Sequence, residues 1–154
     1  MERTLVLIKP DAIQRGLAGR VLSRFEDKGL TIVGMKMFRA DSALLEEHYS
    51  HLKDKPFFPR IREFMTSAPL IALCVEGYQA VAVVRSLCGP TNAREAAPGT
   101  IRGDYGMSIQ SNLVHASDST ESAEVEVKLF FKPEELFEYP RALFEVVYAP
   151  DERA

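Results

Sequence analysis

The sequence predicts an α/β fold of the α+β sandwich kind, an antiparallel sheet covered by helices in a βαββαβ order. Three observations point there. Short apolar runs, most of them rich in β-branched residues, recur at 4–8, 30–38, 70–75 and 113–116. Stripes of hydrophobic residues at helical spacing separate them, giving two βαβ-like halves. The 154 residues, 46% hydrophobic and 27% charged, suit one compact domain over 1–154, with no internal repeat or low-complexity segment.

The first run, TLVLI, stops at Lys9-Pro10, so it reads as a buried strand whose end delivers a lysine. From Ala18 onward, Val21, Leu22 and Phe25 recur at helical spacing, and Gly29 supplies a C-terminal cap. LTIVGMKMF at 30–38 is a second strand packed on that helix. Asp41 caps a helix through Leu44, Leu45, His48 and Leu52, and Lys-Asp-Lys-Pro at 53–56 breaks it. A short helix then follows Pro59 with Ile61, Phe64 and Met65 turned inward. After the third strand at 70–75, Val81, Val84 and Cys88 form a helical stripe ending at Gly89.

Residues 89–106 hold two prolines and four glycines with little periodicity, and read as a long ordered loop rather than an element. Loops of that length are usually functional or disordered. A fourth short strand at 113–116 precedes Asp118, which with Glu121 three residues on forms a capping box opening a helix through Phe130. Residues 132–154 make a tail wrapping outside the domain.

Composition excludes several functions. Nineteen Lys and Arg against 22 Asp and Glu give a formal charge of −3, without the broad basic surface that sequence-independent nucleic-acid binding needs. No specific nucleic-acid partner is expected. Cys74 and Cys88 lie in apolar surroundings and read as core fillers rather than a disulfide or metal pair. The N-terminal apolar run is too short for a signal peptide, and nothing reaches the roughly 18 apolar residues of a membrane span, so a cytoplasmic location away from membranes is expected.

The chemistry-bearing residues form a set. His115 stands among polar residues just before a helix N-terminus, where amides and the helix dipole favour an anion. An imidazole there is a candidate phosphoryl acceptor, although a lone histidine is more often a satisfied core residue. Lys9 at a strand end, Arg85 on a helix, and Thr91, Asn92 and Arg102 in the Gly- and Pro-rich loop are all residue types that bind phosphate oxygens. Phosphoryl transfer needs mainly positioning and charge stabilisation. His48 and His51, three apart on a helix, lack further ligands to complete a metal site.

The strings TLVLIKPDAIQRGL, HYSHLKDKPFFP, GPTNAREAAPGTIRGDYG and NLVHASDSTESAEVEVKLFF closely resemble the nucleoside diphosphate kinase family over almost the whole chain. The NxxHASDSxExAxxE pattern around His115 is the most specific of them. The resemblance implies a ferredoxin-like core with a nucleotide cleft between a helical hairpin at about 42–67 and the 89–106 loop, with His115 at its floor. It also implies a ping-pong reaction in which Nδ1 of His115 takes the γ-phosphoryl of a nucleoside triphosphate, typically ATP, and passes it to a nucleoside diphosphate. Glu126 would orient the ring. Lys9, Tyr49 and Asn112 would surround the transferred phosphoryl and the ribose hydroxyl, and Arg85, Thr91 and Arg102 would hold the other phosphates. Phe57 would stack on the base, with Ile61 and Ile109 lining the apolar edge. The cofactor implied is Mg²⁺, held by nucleotide phosphates and water rather than a protein cage, with Asp118 at most indirectly involved.

Three positions depart from the family pattern: Lys55 where many members carry arginine, Ala93 where some carry proline, and Ala116 where glycine is common. None removes a catalytic group. The resemblance implies a homo-oligomer, a hexamer in preference to a tetramer, because the tail resembles that of the hexameric branch; its Tyr139, Phe144, Val146, Val147 and Tyr148 would also be a costly exposed patch on a monomer. The rival reading is a non-catalytic nucleotide-binding scaffold, which would have been free to lose His115, Lys9 or Arg102.

Overall fold

The computed structural model describes residues 1–153. One four-stranded antiparallel sheet runs in the order β2-β3-β1-β4, where β1 is Glu2–Ile8, β2 Thr31–Phe38, β3 Leu70–Gly77 and β4 Val114–Ala116. A strand flanked on both sides and covered on both faces must be apolar throughout, and Leu5, Val6, Leu7 and Ile8 are all buried. Val6, Ile8, Leu73, Val75, Val114 and Ala116 form one core with α2 (Ala18–Asp27) and α5 (Ala80–Cys88). Leu5, Leu7, Ala72 and Cys74 form the other with α3 (Ser42–His48), α4 (Phe58–Thr66) and α7 (Thr120–Phe130). Cys74 and Cys88 are thus in different cores, and both are free.

This alternation places the chemistry. Side chains along a strand point to opposite faces in turn, so Lys9 continues the row of Leu5 and Leu7. β4 pairs with β1 so that His115 lies opposite Leu7. Both residues therefore belong to the face covered by α3, α4 and α7.

The predicted architecture holds, and the differences have local causes. Pro10 opens a helix that the sequence reading did not include, α1 (Pro10–Gln14), because proline suits the first helical turn. The Asp41 side chain does cap α3, accepting from the Leu44 amide at 2.8 Å, but the helix ends at His48 and Leu52 lies in the turns that follow. The 89–106 segment is not devoid of elements: it contains a 3₁₀ turn at Ala93–Glu95 and α6 (Ile101–Tyr105). Gly103, which looked like a loop residue, lies within α6, and a Cβ there would sit 1.9 Å from the Ala97 carbonyl oxygen. The cap of α7 is Ser119, accepting from the Ser122 amide at 3.0 Å, so the cap lies one residue beyond Asp118 and the expected pairing with Glu121 is replaced by this single bond. β4 starts at Val114 rather than Leu113, because Leu113 has φ 76° and cannot continue a strand.

The tail expected over 132–154 is described through Arg153, and Ala154 lies outside the described residues. It returns to the sheet edge at a register break between Ile32 and Gly34, where the Phe137 amide donates to the Val33 carbonyl at 2.8 Å and the Tyr139 hydroxyl to the Ile32 carbonyl at 2.6 Å. Arg141 pairs with Glu76, which also accepts from Arg3 at 2.6 Å. In α8 (Phe144–Val147) and just after it, Phe144 and Tyr148 pack around Tyr78, while Tyr139, Val146 and Val147 stay exposed. No helix of the described residues is long and apolar enough to cross a membrane.

Candidate active site

His115 projects from β4 into a cleft of about 760 Å³, whose walls include Lys9, Tyr49, Arg85, Thr91, Arg102 and Asn112. Its Nε2 lies 2.8 Å from Glu126 Oε2 on α7. The Ser117 hydroxyl donates to the same oxygen at 3.0 Å and accepts from the Leu5 amide at 3.3 Å, tying the carboxylate to β1. Burial pushes the Glu126 carboxyl up, but the hydrogen bond and charge of His115, then His48 and Ser117, outweigh it and hold the group below the usual carboxylate range. An ionised carboxylate only accepts, so Nε2 of a neutral His115 carries the proton and Nδ1 keeps its lone pair. That is the arrangement a nitrogen nucleophile needs.

The cationic residues converge as the sequence suggested. Lys9 Nζ donates to Asn112 Oδ1 at 2.8 Å, while burial, then the Arg102 charge, lower its pKa to about 8. The Asn112 amide nitrogen in turn donates to the carbonyls of Thr91 at 3.0 Å and Ile109 at 2.8 Å, which fixes which way the side chain faces. Arg85 reaches the Ala116 carbonyl at 3.4 Å. Arg102 is engaged with backbone, donating to the carbonyls of Gly89 at 2.7 Å, Asn112 at 3.2 Å and Val114 at 2.6 Å. A guanidinium has five N–H groups, so two remain for a phosphate. Asn92 is diverted: its side chain caps the 3₁₀ turn by accepting from the Arg94 amide.

Tyr49 is pushed up to about 12 by burial and by the Glu126 charge, so its hydroxyl stays protonated and can donate. Beyond Lys9, Tyr49, Thr91 and Asn112 the cleft continues into a more apolar space of about 470 Å³ lined by Phe57, Ile61, Phe64 and Ile109. Phe57 and Ile109 are 41% and 54% exposed, which suits a flat apolar ligand more than a closed core. The eleven residues to which the family resemblance gives catalytic or substrate-binding roles therefore border one bipartite cleft, and Asn92 does not. Lys55 is exposed and Ala93 is buried in the 3₁₀ turn.

Sequence reasoning missed two members. Ser117 left only its place in HASDS as a signal. His48 left none beyond its spacing from His51, yet His48, not His51, joins His115 and Glu126 in a cluster of potential ligand atoms within 4.8 Å of one another. His48 stands edge-to-face on His115 at 4.7 Å and on Phe130 at 5.1 Å, with neither ring nitrogen hydrogen-bonded. Burial, then the His115 charge, lower it to about 4. Two imidazoles and a carboxylate are a poor set for Mg²⁺, which prefers oxygen. The cleft does present the Asp118 carboxyl, held below its usual range by the Ser122 hydroxyl and further by Arg85.

Comparison with known proteins gives the chain a family. Residues 2–136 match the family described as nucleoside diphosphate kinase. The chain is 56% identical to a nucleoside diphosphate kinase of Parabacteroides distasonis over 152 residues, covering 99% of both chains. It is 57% identical to one from Pyrococcus horikoshii, with 92% of each covered. Among solved structures, a halophilic nucleoside diphosphate kinase from Halobacterium salinarum in complex with CDP superposes with a TM-score of 0.92 at 48% identity, covering 96% of this chain and 98% of that one.

Proposed function

The chain belongs to the nucleoside diphosphate kinase family, and from that premise we propose that His115 carries the phosphoryl group between two half-reactions. The enzyme transfers the terminal phosphoryl of a nucleoside triphosphate to a nucleoside diphosphate. The observation that carries the proposal is the 2.8 Å contact between His115 Nε2 and Glu126, which leaves the Nδ1 lone pair free to attack.

In the first half-reaction the Nδ1 lone pair attacks the γ-phosphorus, and the bond to the β,γ-bridging oxygen breaks, releasing the diphosphate. The ring becomes positive as the bond forms, and the Glu126 carboxylate stabilises that charge while Nε2 keeps its proton. In the second, a terminal oxygen of the acceptor diphosphate attacks the same phosphorus and returns the lone pair to Nδ1. Lys9 and the Tyr49 hydroxyl donate to the phosphoryl oxygens, Asn112 and Lys9 meet the ribose hydroxyl, and Arg85, Thr91 and the free donors of Arg102 hold the remaining phosphates. Phe57 stacks on the base between Ile61 and Ile109, a contact every nucleobase offers, so base discrimination is weak. The Halobacterium salinarum relative binds CDP, which supports a nucleoside diphosphate in this cleft.

Mg²⁺ bound through the nucleotide phosphates and water would neutralise charge there, and the Asp118 carboxyl in the same cleft would at most support it indirectly. The exposed Tyr139, Val146 and Val147 on the tail support assembly into a homo-oligomer, and the tail's resemblance to the family's hexameric branch favours a hexamer over a tetramer. A cytoplasmic location fits the two free, buried thiols.

The test is intact mass after brief incubation with Mg·ATP, before and after excess GDP, with His115→Ala alongside. One phosphoryl should appear on the native chain, leave as GTP forms, and be missing from the variant. Nucleotide binding without phosphoryl uptake would overturn the reading in favour of a scaffold.

A further inference from the structure

Leu113, two residues before His115, is fully buried and has φ 76°, one of two non-glycine residues with positive φ among those described. The Val114 amide donates to the Asn112 carbonyl across it at 2.9 Å. A hydrogen bond from i+2 to i over such a φ is a γ-turn of the rare, strained kind. A leucine adopts it only where its surroundings over-determine the backbone.

Those surroundings are explicit. The Lys9 amide donates to the Leu113 carbonyl at 2.8 Å. Arg102 grips the neighbouring carbonyls of Asn112 and Val114. The Leu113 amide itself donates to Asp11 Oδ2 at 3.1 Å. Asp11 is 8% exposed, and its other oxygen, Oδ1, is buried with no partner. A carboxyl group placed in the interior and bonded through one oxygen to one strained amide is costly as mere scaffolding. Although Asp11 lies in the first turn of α1, its oxygen is directed to the turn before β4 rather than to the amides of its own helix.

We infer that Asp11 is a positioning residue for phosphoryl transfer: by accepting from the Leu113 amide it holds the strained turn that sets Asn112 and His115 at their places in the cleft. This rests on His115 being the phosphoryl acceptor. Released from Asp11, Leu113 relaxes toward negative φ and the residues on either side move with it. A displacement of about 1 Å at a reacting group costs on the order of a hundredfold in rate.

The experiment measures phosphorylation of His115 by ATP and by phosphoramidate, a phosphoryl donor with no base or ribose, in the native enzyme, Asp11→Asn, Asp11→Ala, Leu113→Gly and the Asp11→Ala/Leu113→Gly pair. Each is assayed below its own unfolding midpoint. Asp11→Ala should slow both donors by about tenfold or more, and the loss with phosphoramidate, which makes no ribose contact through Asn112, reports the misplaced nucleophile itself. Asp11→Asn keeps an acceptor oxygen and should stay within about threefold of native. Glycine takes φ 76° without help, so removing Asp11 should cost far less in the Leu113→Gly background than in the native one. Native phosphorylation rates in folded Asp11→Ala would overturn the inference, as would Asp11→Asn falling as far as Asp11→Ala. Phosphoryl uptake by a His115→Ala control would instead overturn the assignment of the nucleophile.

Discussion

Lys9 and His48 are both held below their ordinary pKa values by burial first, and each has a measurable consequence. For Lys9, at about 8, raising the pH removes the charge that the proposed mechanism sets against the phosphoryl group, so kcat/KM should fall above about pH 8. Bound phosphates favour the charged form, so the limb in kcat should lie at higher pH than the limb in kcat/KM, and Lys9→Arg should abolish both limbs while lowering activity. Between about 8 and 10.5 the unfolded lysine binds a proton that the folded one has lost, so stability rises with pH in that window. His48, at about 4, works on the acid side. The unfolded ring takes up its proton near 6.5, so stability is complete above that value and is lost as pH falls toward 4. His48→Phe removes two unpartnered nitrogens while keeping the ring. It should flatten that acid slope in thermal unfolding and gain about 1 kcal/mol at pH 7. The place of Lys9 in the cleft was legible because a lysine at a strand end is a local pattern. That of His48 was not, since the residues that bury it lie at 115 and 130.

Among the elements, α6 shows what periodicity leaves out. Five residues are too few for a helical stripe, and Gly103 within them reads as a breaker. In the fold the same glycine lets α6 approach Ala97 closely, and from α6 Arg102 reaches the carbonyls on both sides of Leu113. Gly103→Ala should therefore lower the unfolding midpoint and reduce activity together, as read by calorimetry and steady-state rates. An alanine that left both unchanged would mean that the loop accommodates the methyl group freely. By contrast β1, β2, β3 and α7 were legible nearly end to end, because long apolar runs and a repeating buried face are statements about many residues at once. The single-residue displacement of the α7 cap from Asp118 to Ser119 reflects a choice between adjacent polar residues that only geometry makes.

For the whole molecule, the order of strands decides which distant parts of the chain must meet. Composition and periodicity predicted the layers; the converging cleft was legible only through the family's blocks of sequence, because its walls come from residues 9 to 129. The contacts around the nucleophile are long in sequence: Lys9 with Asn112, Asp11 with Leu113, and Leu5 with Ser117 span 103, 102 and 112 residues. Short-range structure can form while a chain is still growing, whereas pairings this distant wait for the far partner to be made. A nascent chain that has built β1, β2 and β3 still has an open edge beside β1 and no reactive imidazole. The strand that fills the edge is the strand that brings the nucleophile, and Glu126 arrives only with the helix after it. Synthesis cut short thus leaves an inert remnant rather than a weak enzyme, and the appearance of a transferable phosphoryl group marks the moment at which the chain has closed.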